Sequence, residues 1–365
     1  MSQRTLTVLW SAIVMIGILE FKLIHDSDIF WQVKLGTIML NEGRIPISDR
    51  FTYTHAGKLA PPIGWLAQIL FASLYELGGW HLARLVHHAA LVGSLIMAAA
   101  TCKRNMTSPF SATVAISVAF LVMLSNADLR PQSLGLLSFA TLLAVGRSRI
   151  SFSIKLVAAI PLFVAWQNMH PSVAVGVAAL AGLATADFLD RGRDRENPWK
   201  MVILTALAAT AQLATPLRAG IFDVSRSNLR VSRDVLGLPE WAPPWDPIVV
   251  ETVNLYWMAL AGSLIAIIVV RGRVSVRDGC LFVVMTIMSL YAARFIIFWA
   301  VASVPIWASA VERICPIGMF VWARGHPERS FRAGRSMIGL AMGAAIAIGA
   351  HPARFGSISR PAISP

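Results

Sequence analysis

Charge is what this sequence has least of: only 14% of its 365 residues are Asp, Glu, Lys or Arg, against 56% hydrophobic residues and a mean hydropathy of +0.64. A water-soluble domain needs roughly 25% charged residues to cover its surface, so a soluble globular protein is excluded and a polytopic membrane protein implied. Cysteine is scarce as well. Cys102, Cys280 and Cys315 show no C-x-x-C spacing, which excludes a zinc ribbon and a disulfide framework. Walker, Gly-x-Ser-x-Gly and His-Glu-x-x-His sequences are missing, so ATP-driven transport and the commoner hydrolase plans lose support. The chain also lacks internal repeats and the short alternating strands of a closed barrel. Its apolar segments are helix-length and rich in Ala, Leu, Ile, Val and Gly, which predicts an all-α transmembrane helical bundle.

The chain does carry an excess of positive charge, +13 overall. Its placement argues against nucleic acid. Basic residues recur in short loops: Lys103 and Arg104; Arg147 and Arg149; Arg191, Arg193 and Arg195; Arg271, Arg273 and Arg277; then Arg313, Arg324, Arg329, Arg332 and Arg335. This is the positive-inside pattern, and the partner it implies is the lipid bilayer with its anionic headgroups. The three cysteines fall on the same inner side, where thiols stay reduced.

With Arg4 inside, the first apolar run reads as an uncleaved anchor and puts the N-terminus in the cytoplasm. About eleven spans follow from the pattern: 8–24, 82–101, 108–125, 131–146, 153–168, 171–187, 199–215, 251–270, 278–293, 295–311 and 335–350. The stretch 63–77 is apolar but short, and a crossing there would invert every later basic loop. It is therefore expected as an outer interfacial or re-entrant helix. The organisation expected is one transmembrane domain, 1–350, with large outer loops at 25–81 and 216–250 and a C-terminal tail at 351–365.

The residues able to do chemistry gather in the expected outer loops. Asp26 and Asp28 follow the first span directly, and ionisable groups at membrane depth are functional candidates by default. Such a carboxylate serves as a general base or metal ligand, or else caps the helix that follows. Asp49 suits a turn as well as a site. Asp128 and Arg130 share a short turn, where Arg130 either grips a phosphate with its planar donor fork or snorkels to headgroups. His170 closes another span, and Arg294 breaks an apolar stretch and must face a cavity, a phosphate or an acid. Arg218, after Thr215-Pro216, is a weaker case of the same kind.

The first loop has a recognisable order: Asp28, a helix, Gly43-Arg44-Ile45-Pro46, Lys58-x-x-Pro61-Pro62-x-x-Trp65, Leu77-Gly78-Gly79 and Ala83-Arg84-Leu85. It resembles the first outer loop of the GT-C superfamily of polytopic glycosyltransferases, among them lipid A aminoarabinose transferases and protein O-mannosyltransferases. The resemblance covers about 90 residues. It differs in having Asp-Ser-Asp for an adjacent acidic pair, and Gln32 where the nearest relatives carry His.

This resemblance implies a GT-C-like bundle with juxtamembrane helices in the first loop, in a bacterial inner membrane. It implies a polyprenyl-phosphate-linked sugar as donor and a glycan, lipid or protein acceptor on the periplasmic face. Asp28 matches the catalytic acid of that loop, and Asp128 an acid of the second outer loop. Asp26 would position Asp28, and Arg130 and Arg294 would hold the phosphate. No cofactor is assigned, and a divalent metal on Asp26 and Asp28 stays open. Many members carry a soluble C-terminal domain that this chain lacks, so other membrane subunits are expected to help recognise the acceptor. Two other classes stay open. A polysaccharide polymerase or ligase would lean on Arg218, Arg230 and His170, and a transporter or non-catalytic subunit would need none of the three acids.

Overall fold

The computed structural model describes residues 3–314 apart from 23, 25, 55, 103–107, 149, 191–196 and 271–273. The expected span 335–350, Cys315 and the basic residues in these gaps and beyond 314 lie outside the described residues. Contacts divide the chain into Met1–Arg313 and Ile314–Pro365, and the fold is that of the first unit.

Twelve α-helices make it up among the described residues: α1 (Gln3–Glu20), α2 (Asp28–Glu42), α3 (Trp65–Thr101), α4 (Pro109–Met123), α5 (Gln132–Arg147), α6 (Phe152–Met169), α7 (Val173–Leu189), α8 (Pro198–Ala211), α9 (Gly220–Arg230), α10 (Asn254–Val270), α11 (Val276–Tyr291) and α12 (Ile296–Ile314). No strand longer than an isolated bridge, Ser48 to Leu59, occurs among them. The chain is a helical membrane protein. Five helical segments are long and apolar enough to cross a hydrocarbon core: Trp65–Thr101, Pro109–Asn126, Phe152–Met169, Val250–Val270 and Ala293–Ile314. Ten of the eleven expected spans coincide with helices, but α5, α7, α8 and α11 have only 14 to 17 residues. At 1.5 Å per residue such helices fall short of the core's thickness of about 30 Å.

Local chemistry explains where the helices start. Ser108, Ser151, Asn197 and Ser275 each accept a backbone N–H from the first turn of α4, α6, α8 and α11. Pro109 and Pro198 fill first-turn positions that need no donor. The reading of 63–77 as a separate helix agrees with α3, which is two helical segments meeting at a kink. Gly78 and Gly79 leave helical geometry, Gly79 at φ +61°, where only glycine is unstrained.

Side chains tie the loops into two sets. At one end Trp65 donates to Asn168 (2.7 Å), Asn168 donates to the Ala214 carbonyl (2.7 Å), and Ala293 N–H reaches Ala242 (3.0 Å). At the other, Arg147 binds Thr101 (3.0 Å) and Asp278, Arg277 pairs with Asp187 (2.6 Å), and Glu312 accepts from Ser108 and Ser111. The loops expected on one side thus meet one another, and so do those expected on the other.

Helix α12 is the centre. Nearly every residue from Ile296 to Ala308 is buried, the mark of a helix surrounded by others. Trp299 packs edge-on to Tyr256 (centroids 5.0 Å) and Trp307 (5.5 Å), and its indole donates to Thr286 (3.0 Å). A smaller core joins α2 to α3 through Ile29, Val33, Ala67 and Phe71. Gly36 is essential there, because a Cβ would stand 2.1 Å from the Gln68 carbonyl oxygen. Gly36→Ala normally favours a helix by about 1 kcal/mol. Here it should instead destabilise by about 2 kcal/mol through forced separation of α2 from α3, read as a lower thermal midpoint of the purified chain in detergent.

Candidate functional site

Between α1 and α2 the chain turns inward and buries Asp26. One oxygen of its carboxylate accepts the Asp28 N–H (2.9 Å), and the other pairs with Arg130 Nε. Arg130 sits in the turn before α5, and its Nη1 binds Glu240 in the 216–250 loop. Glu240 also lies 3.4 Å from Arg294, whose guanidinium stacks on Trp241 at 4.0 Å. Gln132 donates to the Arg294 carbonyl (3.1 Å), and Trp241 meets Phe295 edge-on (6.3 Å). Segments distant in sequence therefore converge on an alternating chain of charges: Asp26, Arg130, Glu240, Arg294.

The two signs balance, which is how such charges persist away from bulk water. Burial alone would lower the Arg130 pKa. The charges of Glu240 and Asp26, and hydrogen bonds to both, outweigh that and leave it above the usual arginine value.

Asp28 lies beside this network and outside it. Its carboxylate is exposed at the first turn of α2, where the helix dipole favours a negative charge. The contact described for it is the Trp31 indole N–H at 3.3 Å. The sequence allowed either acid to cap α2; Ser27 stands at the N-cap without a side-chain bond, and Asp26 accepts the N–H of the first helical residue.

His170 approaches the network from the α6–α7 corner. Trp166 donates to Ser172 there (3.0 Å), and His170 Nδ1 accepts the Ser172 N–H (3.1 Å). This corner fits against α5 only because residue 135 is glycine: a Cβ would stand 2.4 Å from Ser172 Oγ and 3.5 Å from His170 Nδ1. Solvent reaches part of His170. Burial of its ring, with the charges of Arg294 and Arg130, still pushes its pKa down to about 3. The unfolded chain, with a histidine pKa near 6.5, therefore binds the proton first. Stability from this group is complete above about pH 6.5 and declines as pH falls toward 3, by at most about 1.4 kcal/mol per unit. The unfolding midpoint should drop less between pH 7 and pH 4.5 in His170→Gln than in the unaltered chain.

The remaining expected residues sit elsewhere. Asp128 pairs with Lys22 (3.0 Å), which also donates to the Leu124 carbonyl (3.1 Å). Asp49 accepts from Phe51 N–H, Thr52 N–H and the Thr52 hydroxyl, a turn-forming arrangement. Arg218 is exposed at φ +48°, with no ion pair or side-chain hydrogen bond among the described residues.

Sequence reading missed Glu240 and a second polar group below it. In that group Glu20 accepts from His88 (2.7 Å) beside Arg84 (3.7 Å), and His87 contacts Ser133 (2.9 Å). The available signal for Glu240 was charge balance. Two arginines at one membrane level require an acid, and the Trp- and Pro-rich part of the loop offers Glu240 and Asp246.

Among the described residues no group of three or more His, Cys, Asp and Glu could hold a metal ion. No known protein family, curated protein or solved structure matches the chain.

Proposed function

We propose that this chain is a membrane glycosyltransferase of GT-C type. It would transfer a sugar from a polyprenyl-phosphate donor on the periplasmic face of a bacterial inner membrane, in the assembly of envelope polysaccharide, glycolipid or glycoprotein. The observation that carries the reading is the division of labour between two acids two residues apart. Asp26 is buried and bound to Arg130, while Asp28 is exposed at the start of α2 with its backbone N–H on the Asp26 carboxylate. A base needs access to its substrate, and a leaving phosphate needs positioned cations.

In the proposed reaction Asp28 takes the proton of an acceptor hydroxyl as that oxygen bonds to the anomeric carbon. The bond from that carbon to the phosphate oxygen breaks, and the phosphate leaves with the electron pair. Arg130 and Arg294 stabilise the charge it gains. Exposed Phe30 and Trp31 on α2, with Phe30 against Trp80 (5.0 Å), suit a helix lying in the interface where a prenyl tail enters. A photoreactive polyprenyl-phosphate probe tests the placement. It should label peptides carrying Asp28, Arg130 or Arg294, whereas labelling confined to the opposite end of the bundle would contradict it.

A further inference from the structure

We infer that Glu240 is a latch: its carboxylate holds, between Arg130 and Arg294, the place that a lipid-linked phosphate takes, and Pro239–Ala242 must withdraw for that phosphate to bind. The inference rests on the phosphate reading of the two arginines and gives a role to a residue which that reading leaves unused.

Three features carry it. First, Glu240 bridges the pair with its two oxygens, one to Arg130 and one to Arg294. A phosphate bridges two guanidinium groups in the same way; a phosphodiester donor brings the same single negative charge, and a monoester such as farnesyl phosphate about −1.5 to −2. Second, each arginine has an anchor that does not involve Glu240. Asp26 holds Arg130 through Nε, and Gln132 fixes the backbone at Arg294. Withdrawal of Glu240 therefore leaves a cationic pair still in position, and a phosphate can restore the charge balance that burial demands.

Third, the segment bearing Glu240 is built as a separate short piece. It is a single 3-10 turn, Pro239–Trp241, between Gly237 at φ +56° and Pro243-Pro244. Its described attachments besides the ion pairs include Trp241 on Arg294, Trp241 against Phe295, the Ala242 carbonyl bound by Ala293 N–H, and Ala242 packed against the main core. Val235, Leu236, Leu238 and Trp245 around it are exposed, and the piece touches the main apolar core only at its end, through half-buried Ala242. Exchange of one anion for another costs such a segment little beyond its own seating.

The test is equilibrium binding of farnesyl phosphate to the purified full-length chain in detergent, with farnesol and inorganic phosphate as the other arms. Glu240→Gln removes the competing charge and should tighten farnesyl phosphate binding about tenfold. Glu240→Asp keeps the charge but shortens the reach to both arginines, and should tighten it about threefold. Because the aspartate variant preserves an acid in the network, it decides the matter if the glutamine variant does not fold.

Unchanged or weaker binding in the folded variant overturns the latch. An equal gain for inorganic phosphate, or one for farnesol, overturns the lipid-phosphate ligand. Sugar transfer is not read in this experiment, so the two ideas fail separately. A binding gain in a chain that transfers no sugar removes the glycosyltransferase reading alone, and Asp28-dependent transfer without the gain removes the latch alone.

Discussion

Asp28→Asn should lower sugar transfer by at least about 100-fold while leaving the amount and thermal midpoint of the folded chain unchanged. The amide keeps the size of the side chain and the contact with Trp31, whose indole N–H donates to an amide oxygen as it does to the carboxylate. It removes only the capacity to take a proton, and general-base catalysis typically contributes 10²–10⁴-fold. Stability should hold because Asp28 is exposed and lies outside the Asp26–Arg130–Glu240–Arg294 network. Loss of the first-turn negative charge costs only a few tenths of a kcal/mol. Asp26→Asn should behave in the opposite sense, with a lowered midpoint because it strands Arg130 beside a buried neutral amide. The contrast between the two variants is informative, since a purely structural role for both acids would make Asp28→Asn silent.

Arg130→Gln should be the most destabilising single change at this end of the bundle, by about 2–4 kcal/mol. Removing one partner of a buried ion pair costs about 3–5 kcal/mol because the other charge is left uncompensated. Arg130 serves two acids, Asp26 and Glu240, whose side chains are 5% and 25% exposed. Its own side chain is 32% exposed, so solvent screens part of the loss and the lower figure applies. Arg130→Lys should recover only part of the stability, since a single ammonium cannot match a guanidinium that reaches the two acids through different nitrogens. Pairing Arg130→Gln with Asp26→Asn should cost less than the sum of the two changes. Thermal unfolding in detergent, followed by far-ultraviolet circular dichroism, reads all of these.

The helices were legible because a hydrocarbon core imposes long apolar runs and because their starts carry local signals such as Ser108-Pro109 and Asn197-Pro198. The break at Gly78-Gly79 was legible, and α3 consists of two helical segments that meet there. Two adjacent glycines mark the change of direction, and packing against α2 and α5 sets how the two segments are aimed. Crossing number was less legible, because α7 and α8 are apolar but too short to span alone.

At the site, Asp26, Arg130 and Arg294 stood out from sequence since an isolated charge in an apolar setting needs a reason. Their mutual pairing did not. The Arg130–Glu240 contact spans 110 residues and Arg130–Asp26 spans 104, and no local pattern encodes either. Asp128 and Lys22 show the reverse case. Their positions suggested chemistry for Asp128, while the pairing with Lys22 gives it a structural partner in the turn after α4.

The most direct measurement uses the purified chain in proteoliposomes with polyprenyl-phosphate pentoses and hexoses labelled in the sugar, and envelope extract as the acceptor source. The proposed reaction predicts free polyprenyl phosphate appearing in step with labelled acceptor, and both signals disappearing in Asp28→Asn. Donors that stay intact across the panel, or are consumed equally by Asp28→Asn, would contradict it.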